Sequence, residues 1–288
     1  MKILITGGAG FIGANLVRVL NEHHPDFQLS VIDDLSLGLR ENLSGRRVDF
    51  YHGSILDADL LFRVAKGASS IVHLAAIGSV PRSVSNPVAS HEANATGTLK
   101  VLEAARARGV EQVIVASSSS VYGSNPALPK KEEDWTRPLS PYGVTKLASE
   151  SYAVAYHHSY GIKTLAFRFF NVYGPLQRAD HPYAAVIPRF LDSAIRRGRV
   201  TIFGDGLQSR DFTYVDSVCA AIAGALVRRV SRDAPINLAF GTRNSLLELV
   251  ATIEQELGFP VAIDFEAERL GDVKDSQAHA GKLRNEFP

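Results

Sequence analysis

Thr6-Gly7-Gly8-Ala9-Gly10-Phe11-Ile12-Gly13 is the stretch on which the fold turns. It follows the short apolar run Lys2-Ile3-Leu4-Ile5 and opens onto a segment whose apolar residues recur at helical spacing. Glycines 7, 10 and 13 stand as G-x-x-G-x-x-G, one residue wider than the commonest dinucleotide fingerprint. Glycine here allows a tight turn, close approach of backbone to a pyrophosphate, and close packing of helix on strand. The helix that follows turns its unpaired N–H groups and the positive end of its dipole toward the phosphates. Asp33 comes about twenty residues after the last of these glycines, at the end of the next apolar run, where a carboxylate accepts hydrogen bonds from a ribose diol and repels a 2′-phosphate. That pairing favours NAD over NADP.

Working outward, strand-like runs at 2–6, 29–33, 48–51, 70–74, 112–116 and 163–169 alternate with helical stretches at 11–22, 58–66, 90–108 and 142–160. The strand runs are mostly continuous in apolar residues, as expected where both faces of a sheet are covered. The alternation predicts an α/β fold, a Rossmann-type doubly wound parallel sheet. After Asn171 the texture changes: glycines and prolines punctuate short elements and arginine becomes frequent. A smaller C-terminal α/β substrate domain is expected there. The division is 1–172 for the dinucleotide domain, with a returning segment near 212–240, and 173–211 with 241–288 for the substrate domain.

Composition excludes several classes. With 45% hydrophobic and 21% charged residues the chain of 288 has ordinary material for a core. Thirty-one basic against thirty acidic residues leave no overall field to attract nucleic acid or anionic lipid. The longest nearly apolar stretch, 218–227, is about half of what a membrane span needs. The N-terminus reaches Gly7 too soon for a signal peptide, and the lone Cys219 excludes an internal disulfide and a cysteine-built metal site. A cytoplasmic protein without a metal is expected.

A candidate chemical centre lies at Ser140-Pro141-Tyr142-Gly143-Val144-Thr145-Lys146. Tyr142 and Lys146 are four apart at the start of a helix and share one face. A free phenol is a poor base at neutral pH, but an ammonium at ~4 Å in an effective dielectric near ~20 contributes on the order of 4 kcal/mol, about three pKa units. With a cationic nicotinamide nearby, Lys146 is therefore expected to bring Tyr142 into a range useful for proton transfer. The run Ser117–Ser120 follows a buried strand, so its hydroxyls fall at the carboxyl edge of the sheet, where ligands bind.

These segments resemble the extended short-chain dehydrogenase/reductase superfamily, in particular nucleotide-sugar 4-epimerases of the UDP-galactose/UDP-N-acetylglucosamine type. The resemblance spans essentially the whole chain and rests on TGGAGFIG (6–13), DDLS (33–36), HLAAIGSVPRSVSNP (73–87), SSSSVYG (117–123), SPYGVTK (140–146), RFFNVYGP (168–175), YAAVIPRF (183–190), TIFGDGLQSRDFTY (201–214) and RLGD (269–272). It implies Ser118, Tyr142 and Lys146 as the catalytic set. It implies NAD held by Gly7, Gly10, Phe11, Ile12, Gly13, Asp33, Leu74, Ala75, Ala76, Asn94, Tyr142, Lys146 and Phe170. For a UDP-sugar substrate it implies Ser79, Ser118, Tyr142, Asn171, Thr201, Phe203, Arg210, Arg269 and Asp272, the two arginines on the diphosphate. The implied reaction removes the 4-OH proton and a C4 hydride, lets the 4-keto sugar turn about its diphosphate link, and returns the hydride to the other face. The same resemblance implies a homodimer built on the helices at 90–108 and 142–160, whose apolar residues equally suit packing on the sheet.

Some positions depart from the pattern. Ser54 stands where the family often has an Asp that contacts adenine, and Ser119 and Ser120 stand where dehydratases carry Asp-Glu. The latter favours epimerase over dehydratase. A strict galactose epimerase has a bulky tyrosine at the position of Ser276, which here leaves room for an N-acetyl group. Arg178 and SSSSVYG also resemble UDP-glucuronate 4-epimerases, in which an arginine pairs with the sugar carboxylate; the bland reading of Arg178 is a solvated loop residue. The expected reaction is epimerisation of UDP-glucose/UDP-galactose with tolerance for N-acetylated forms; UDP-glucuronate 4-epimerisation is the alternative, ahead of a 4,6-dehydratase or a non-catalytic NAD-binding protein.

Overall fold

In the computed structural model, which describes residues 1–180, 183–268 and 274–287, the first two-thirds of the chain alternates strand and helix. The order is β1 (Lys2–Thr6), α1 (Phe11–His23), β2 (Gln28–Asp33), β3 (Asp49–His52), α2 (Ala58–Val64), β4 (Ser70–His73), α3 (Val80–Ser85), α4 (Pro87–His91), α5 (Gly97–Arg108), β5 (Gln112–Ser118), α6 (Pro141–Tyr160) and β6 (Lys163–Phe169). There follow β7 (Val172–Tyr173), α7 (Val186–Ile195), β8 (Val200–Phe203), β9 (Ser209–Arg210), β10 (Thr213–Tyr214) and α8 (Val215–Val227). The chain ends with β11 (Ile236–Leu238), β12 (Asn244–Ser245), α9 (Leu246–Leu257), β13 (Ile263–Glu266) and α10 (Gly281–Glu286).

Seven strands form one sheet in the order β11-β6-β5-β4-β1-β2-β3, every pair parallel. The fold is the doubly wound Rossmann type. The strand order reverses between β1 and β4, which pair from Ile3↔Ser70 to Thr6↔His73. A crevice opens at the carboxyl ends of strands at such a reversal.

Alternation along β1 shows why both faces are covered. Ile3 and Ile5 point into a cluster with Leu16, Val17 and Leu20 of α1 and Val218, Ile222 and Leu226 of α8. Leu4 points the other way, into a cluster with Leu61 of α2, Val101 and Leu102 of α5, and Ala153 and Tyr156 of α6. A third cluster joins Phe190 and Ala194 of α7, Val200 and Ile202 of β8, and Val250 and Ile253 of α9, away from the sheet.

Two features differ from the helical pattern of the sequence. The stretch expected as one helix at 90–108 begins earlier, at Pro87, and contains a π turn at Glu92–Thr96. In addition, Val101, Leu102, Ala104 and Ala105 are fully buried against the sheet, so they offer no surface to a partner. The exposed apolar side chains of this region are Val84, Val88, Val144, Tyr152 and Tyr160.

Candidate active site

The glycine turn is built to the tolerances that its sequence implies. Gly7 has φ +70°, and a methyl on it would lie 2.6 Å from the Ala75 amide nitrogen. A methyl on Gly13 would lie 2.4 Å from the Gly7 carbonyl oxygen. Helix α1 starts after Gly10 with no side chain capping its first amides. Those N–H groups, and the close passage of backbone that only glycine allows, suit a phosphate.

Asp33 joins this turn from β2. Its Oδ2 accepts from the Ala9 amide at 2.9 Å and its Oδ1 from the Leu35 amide at 2.8 Å. Burial raises its pKa, and the amides of Leu35 and Ala9 partly offset this. Each carboxylate oxygen keeps a lone pair for a diol. These residues fit the adenosine and pyrophosphate of a dinucleotide. Ser54 is turned to local use, its Oγ accepting from the Leu56 amide at 3.2 Å.

Ser118, Tyr142 and Lys146 come together because β5 and α6 are bonded residue by residue. Helix α6 starts with Ser140 accepting from the Gly143 amide at 3.1 Å and Pro141 at its first position. Its next turns present Tyr142, Lys146 and Glu150, spaced four apart on one stripe. Consecutive residues of β5 meet that stripe. The Ser118 side chain neighbours the Tyr142 phenol and favours its ionised form. The Lys146 ammonium donates to the Ala116 carbonyl at 2.8 Å. The Ser117 hydroxyl donates to Glu150 Oε2 at 2.7 Å. Behind them Glu150 forms a buried, two-pronged pair with Arg168 of β6 (3.1 and 2.7 Å), and the Arg168 guanidinium lies 4.7 Å from the centre of the Tyr122 ring.

Without the charge of a nicotinamide, burial governs both groups. Burial raises the Tyr142 pKa above its ordinary value of 10.0, and only the neighbouring Ser118 works against this. Lys146, buried with no carboxylate beside it, falls to about 8. Its Nζ lies 5.9 Å from the centre of the Tyr142 ring, and desolvation of each group outweighs their mutual effect.

Asn94 sits in the π turn, a distortion that often marks a site. The extra residue per turn aims its amide back across the crevice. Oδ1 accepts from the Ile77 amide at 2.8 Å, and Nδ2 donates to the Ile77 carbonyl at 3.2 Å and to Thr145 Oγ1 at 3.0 Å. Ser79 caps α3, its hydroxyl accepting from the Arg82 amide at 3.3 Å. Leu74 packs on the sheet core, and Ala75 donates to Thr6 Oγ1 at 3.3 Å beside Ala76. Phe11 and Ile12 pack on the same core. Phe170 is fully buried with Val121, Tyr122 and Ala239, so only its backbone is open to a cofactor role.

The substrate-side residues lie on the second unit and its border. Asn171, with φ +35°, donates from Nδ2 to the Asp211 carbonyl at 3.2 Å and so ties the end of β6 to the segment after Arg210. Arg210 donates to the carbonyls of Ser209 and Lys274 at 2.9 and 3.0 Å. Thr201 and Phe203 lie on β8, which pairs in parallel with β13. Arg178 stands apart on an exposed turn, held in a two-pronged pair by Asp180 at 2.8 and 2.9 Å. Arg269 and Asp272 lie outside the described residues.

Three residues of this region escaped the sequence reading: His73, Glu150 and Arg168. A signal existed for Glu150, a charge placed four residues beyond Lys146 on the stripe that faces the strand. Arg168 carried one as well, a charge inside the apolar run 163–169 at the head of the RFFNVYGP motif, but its partner could not be named from it.

Residues 3–239 match the NAD dependent epimerase/dehydratase family. The UDP-glucose 4-epimerase of Mycolicibacterium smegmatis is 39% identical over 294 residues, covering 99% of this chain and 91% of that one. Among solved structures, the UDP-N-acetylglucosamine 4-epimerase from Methanobrevibacter ruminantium, in complex with UDP-N-acetylmuramic acid, superposes with a TM-score of 0.94. It is 36% identical, covering 100% of this chain and 92% of that one. The UDP-glucose 4-epimerase of Thermotoga maritima with UDP-glucose gives 0.93 at 34% identity, covering 99% and 92%. The chain belongs to the NAD dependent epimerase/dehydratase family, and NAD is its cofactor.

Proposed function

We propose that this protein is a UDP-sugar 4-epimerase that interconverts UDP-glucose and UDP-galactose and tolerates their N-acetylated forms. The observation that supports the reading most is the joint between β5 and α6, where Lys146 donates to the Ala116 carbonyl and Ser118 neighbours the Tyr142 phenol. Gly7, Gly10, Gly13, Asp33 and Asn94 would hold NAD, with the glycine turn on its phosphates and Asp33 on its ribose. When bound, NAD accepts and returns a hydride and brings positive charge near the phenol.

The chain's own part is to move one proton and hold one nucleotide. Ser118 hydrogen-bonds the sugar 4-hydroxyl, and Tyr142 takes its proton and returns it to the C4 oxygen after the sugar has turned. Lys146 supplies the charge that stabilises the phenolate as it forms. Arg210 and Arg269 hold the diphosphate while the hexose turns over, Thr201 and Phe203 flank the base, and Asn171 and Asp272 contact the nucleotide. The domain division expected from the sequence serves this, with 1–172 and 212–240 as the hydride side and the remainder as the nucleotide-sugar side.

Ser119 and Ser120, in a short 3-10 turn, supply no acid to expel a C6 hydroxyl, which argues against a dehydratase. Arg178 is engaged by Asp180, which argues against its use on a glucuronate carboxylate. Val84, Val88, Val144 and Tyr152 support a homodimer through the α6 side, and light scattering at one chain's mass would oppose it. Incubating the protein with a panel of UDP-sugars and separating C4 isomers by chromatography tests the activity. Turnover of UDP-glucose that disappears in Tyr142→Phe is expected. Turnover of UDP-glucuronate alone refutes the substrate, and equal rates in both proteins refute the catalytic assignment.

A further inference from the structure

His73 ends β4 in register with Thr6 of β1, at the point where the strand order reverses, and is only 4% exposed. Its Nδ1 lies 2.7 Å from Thr6 Oγ1 and its Nε2 lies 3.0 Å from Thr98 Oγ1. The surrounding hydroxyls permit one arrangement of protons. Thr98 Oγ1 lies 2.6 Å from the Asn94 carbonyl oxygen, a distance that two oxygens hold only with a proton between them. The Thr98 proton is therefore spent on Asn94, and Thr98 Oγ1 must accept from His73 Nε2–H. That leaves Nδ1 as acceptor for the Thr6 hydroxyl, whose oxygen in turn accepts the Ala75 amide.

The chain of bonds continues into α6 by two routes. Ser149 Oγ lies 2.9 Å from Thr98 Oγ1, and because the Thr98 proton is spent on Asn94, the Ser149 hydroxyl is the donor of that bond. Asn94 Nδ2 reaches Thr145 Oγ1, which itself donates to the Tyr142 carbonyl at 2.8 Å. We propose that His73, held as the neutral Nε2–H tautomer between Thr6 and Thr98, is a positioning residue that couples the strand bearing the glycine turn to the helix bearing Tyr142 and Lys146. The proposal rests on the reading of those two residues as the proton-handling pair.

Neutrality is part of the device. A doubly protonated ring would lose its acceptor toward Thr6 and set a second cation near Lys146. Burial, with Lys146 adding to it, pulls the ring's pKa down to about 3. Of the groups packed around the ring and its partners (Thr6, Thr98, Asn94, Ser149 and Lys146), Lys146 is the charged one, and Tyr142 is the titratable group facing it in turn.

Two measurements test this. In nitrogen-detected NMR of the intact, NAD-loaded protein, the His73 ring should show the Nε2–H tautomer unchanged from pH 5 to pH 9, values chosen to bracket the ordinary histidine range. An Nδ1–H ring, or one that gains a proton in that range, overturns the proposal. His73→Asn keeps an acceptor toward Thr6 but loses the donor to Thr98, whereas His73→Gln can restore that donor. The Asn variant is expected to lose about tenfold in kcat, the scale of one lost hydrogen bond, with KM within about twofold and a displaced pH–rate profile. Partial rescue is expected in the Gln variant. Wild-type kcat and pH profile in both variants would also overturn it. Should no UDP-sugar be turned over at all, the functional reading fails on that result, while the tautomer measurement decides the role of His73 separately.

Discussion

Two joints of this molecule do opposite kinds of work. Where β5 meets α6, every bond is buried: Lys146 to Ala116, Ser117 to Glu150, and Glu150 to Arg168, whose side chains are 6% and 5% exposed. Where β9 meets the 274–278 segment, the buried Asp211 carboxylate accepts from the Ala278 and Gly241 amides, both at 3.0 Å, but the remaining holding groups are backbone edges and a more exposed ion pair. Ser209 bridges Asp275, and Arg243 reaches Asp275 at 2.9 Å with its side chain 51% exposed. Buried charged groups are costly to unpair, while exposed pairs contribute little each. Proton transfer requires a dry and rigid frame. Recognition of a nucleotide diphosphate requires a surface that can open to admit it.

The largest expected effect strikes the first joint. Tyr142→Phe should lower turnover by about 10²–10⁴-fold, the usual range for a lost proton-transfer group, while leaving the melting temperature near that of the parent; assays and thermal melts on one preparation check both. Retained turnover would deprive the buried joint of its chemical purpose.

Lys146→Met separates function from stability. It should abolish turnover yet raise the unfolding free energy of the nucleotide-free protein at pH 7 by about 1–3 kcal/mol, since the wild-type fold buries an ammonium without a carboxylate partner. The sign follows from the lowered pKa. The penalty is complete below about pH 8 and fades as pH rises toward the ordinary 10.5, so wild-type stability should climb across that window. Denaturant melts of Lys146→Met should lack this climb.

Gly13→Ala should cost about 1–3 kcal/mol and weaken NAD binding, because the new methyl would lie 2.4 Å from the Gly7 carbonyl oxygen and backbone must move. Calorimetric titration with NAD checks it. At the second joint the effects should be smaller and of another kind. Arg210→Ala should raise KM for the UDP-sugar by about tenfold with the melting temperature kept, the loss of one charge-assisted contact to a diphosphate. Arg243→Ala should change stability by less than about 1 kcal/mol, as half-exposed pairs do. A larger loss there would mean that the two joints are more alike than their burial implies.

Much of the dinucleotide turn and part of the first joint were legible in the chain. The glycine turn, Asp33 and the Tyr142/Lys146 spacing are local features, each a matter of a few residues and a known period. His73 and Arg168 were not legible, because their partners lie on other strands and helices: Thr6 and Thr98 for one, Glu150 and Tyr122 for the other. The π turn that aims Asn94 was hidden as well, since nothing in 87–108 departs visibly from helical composition.

The sign of the Tyr142 shift shows the same boundary most sharply. From the sequence, a lysine one turn away acts as a charge at a distance, and Coulomb's law alone lowers the phenol. The folded protein instead removes water from both groups, and that loss, which depends on every element packed around them, outweighs the pair's attraction. Order along the chain therefore determined the α/β alternation, the dinucleotide turn and which residues could meet. Only the tertiary structure decided their protonation, because desolvation belongs to an enclosure and no short segment forms one by itself.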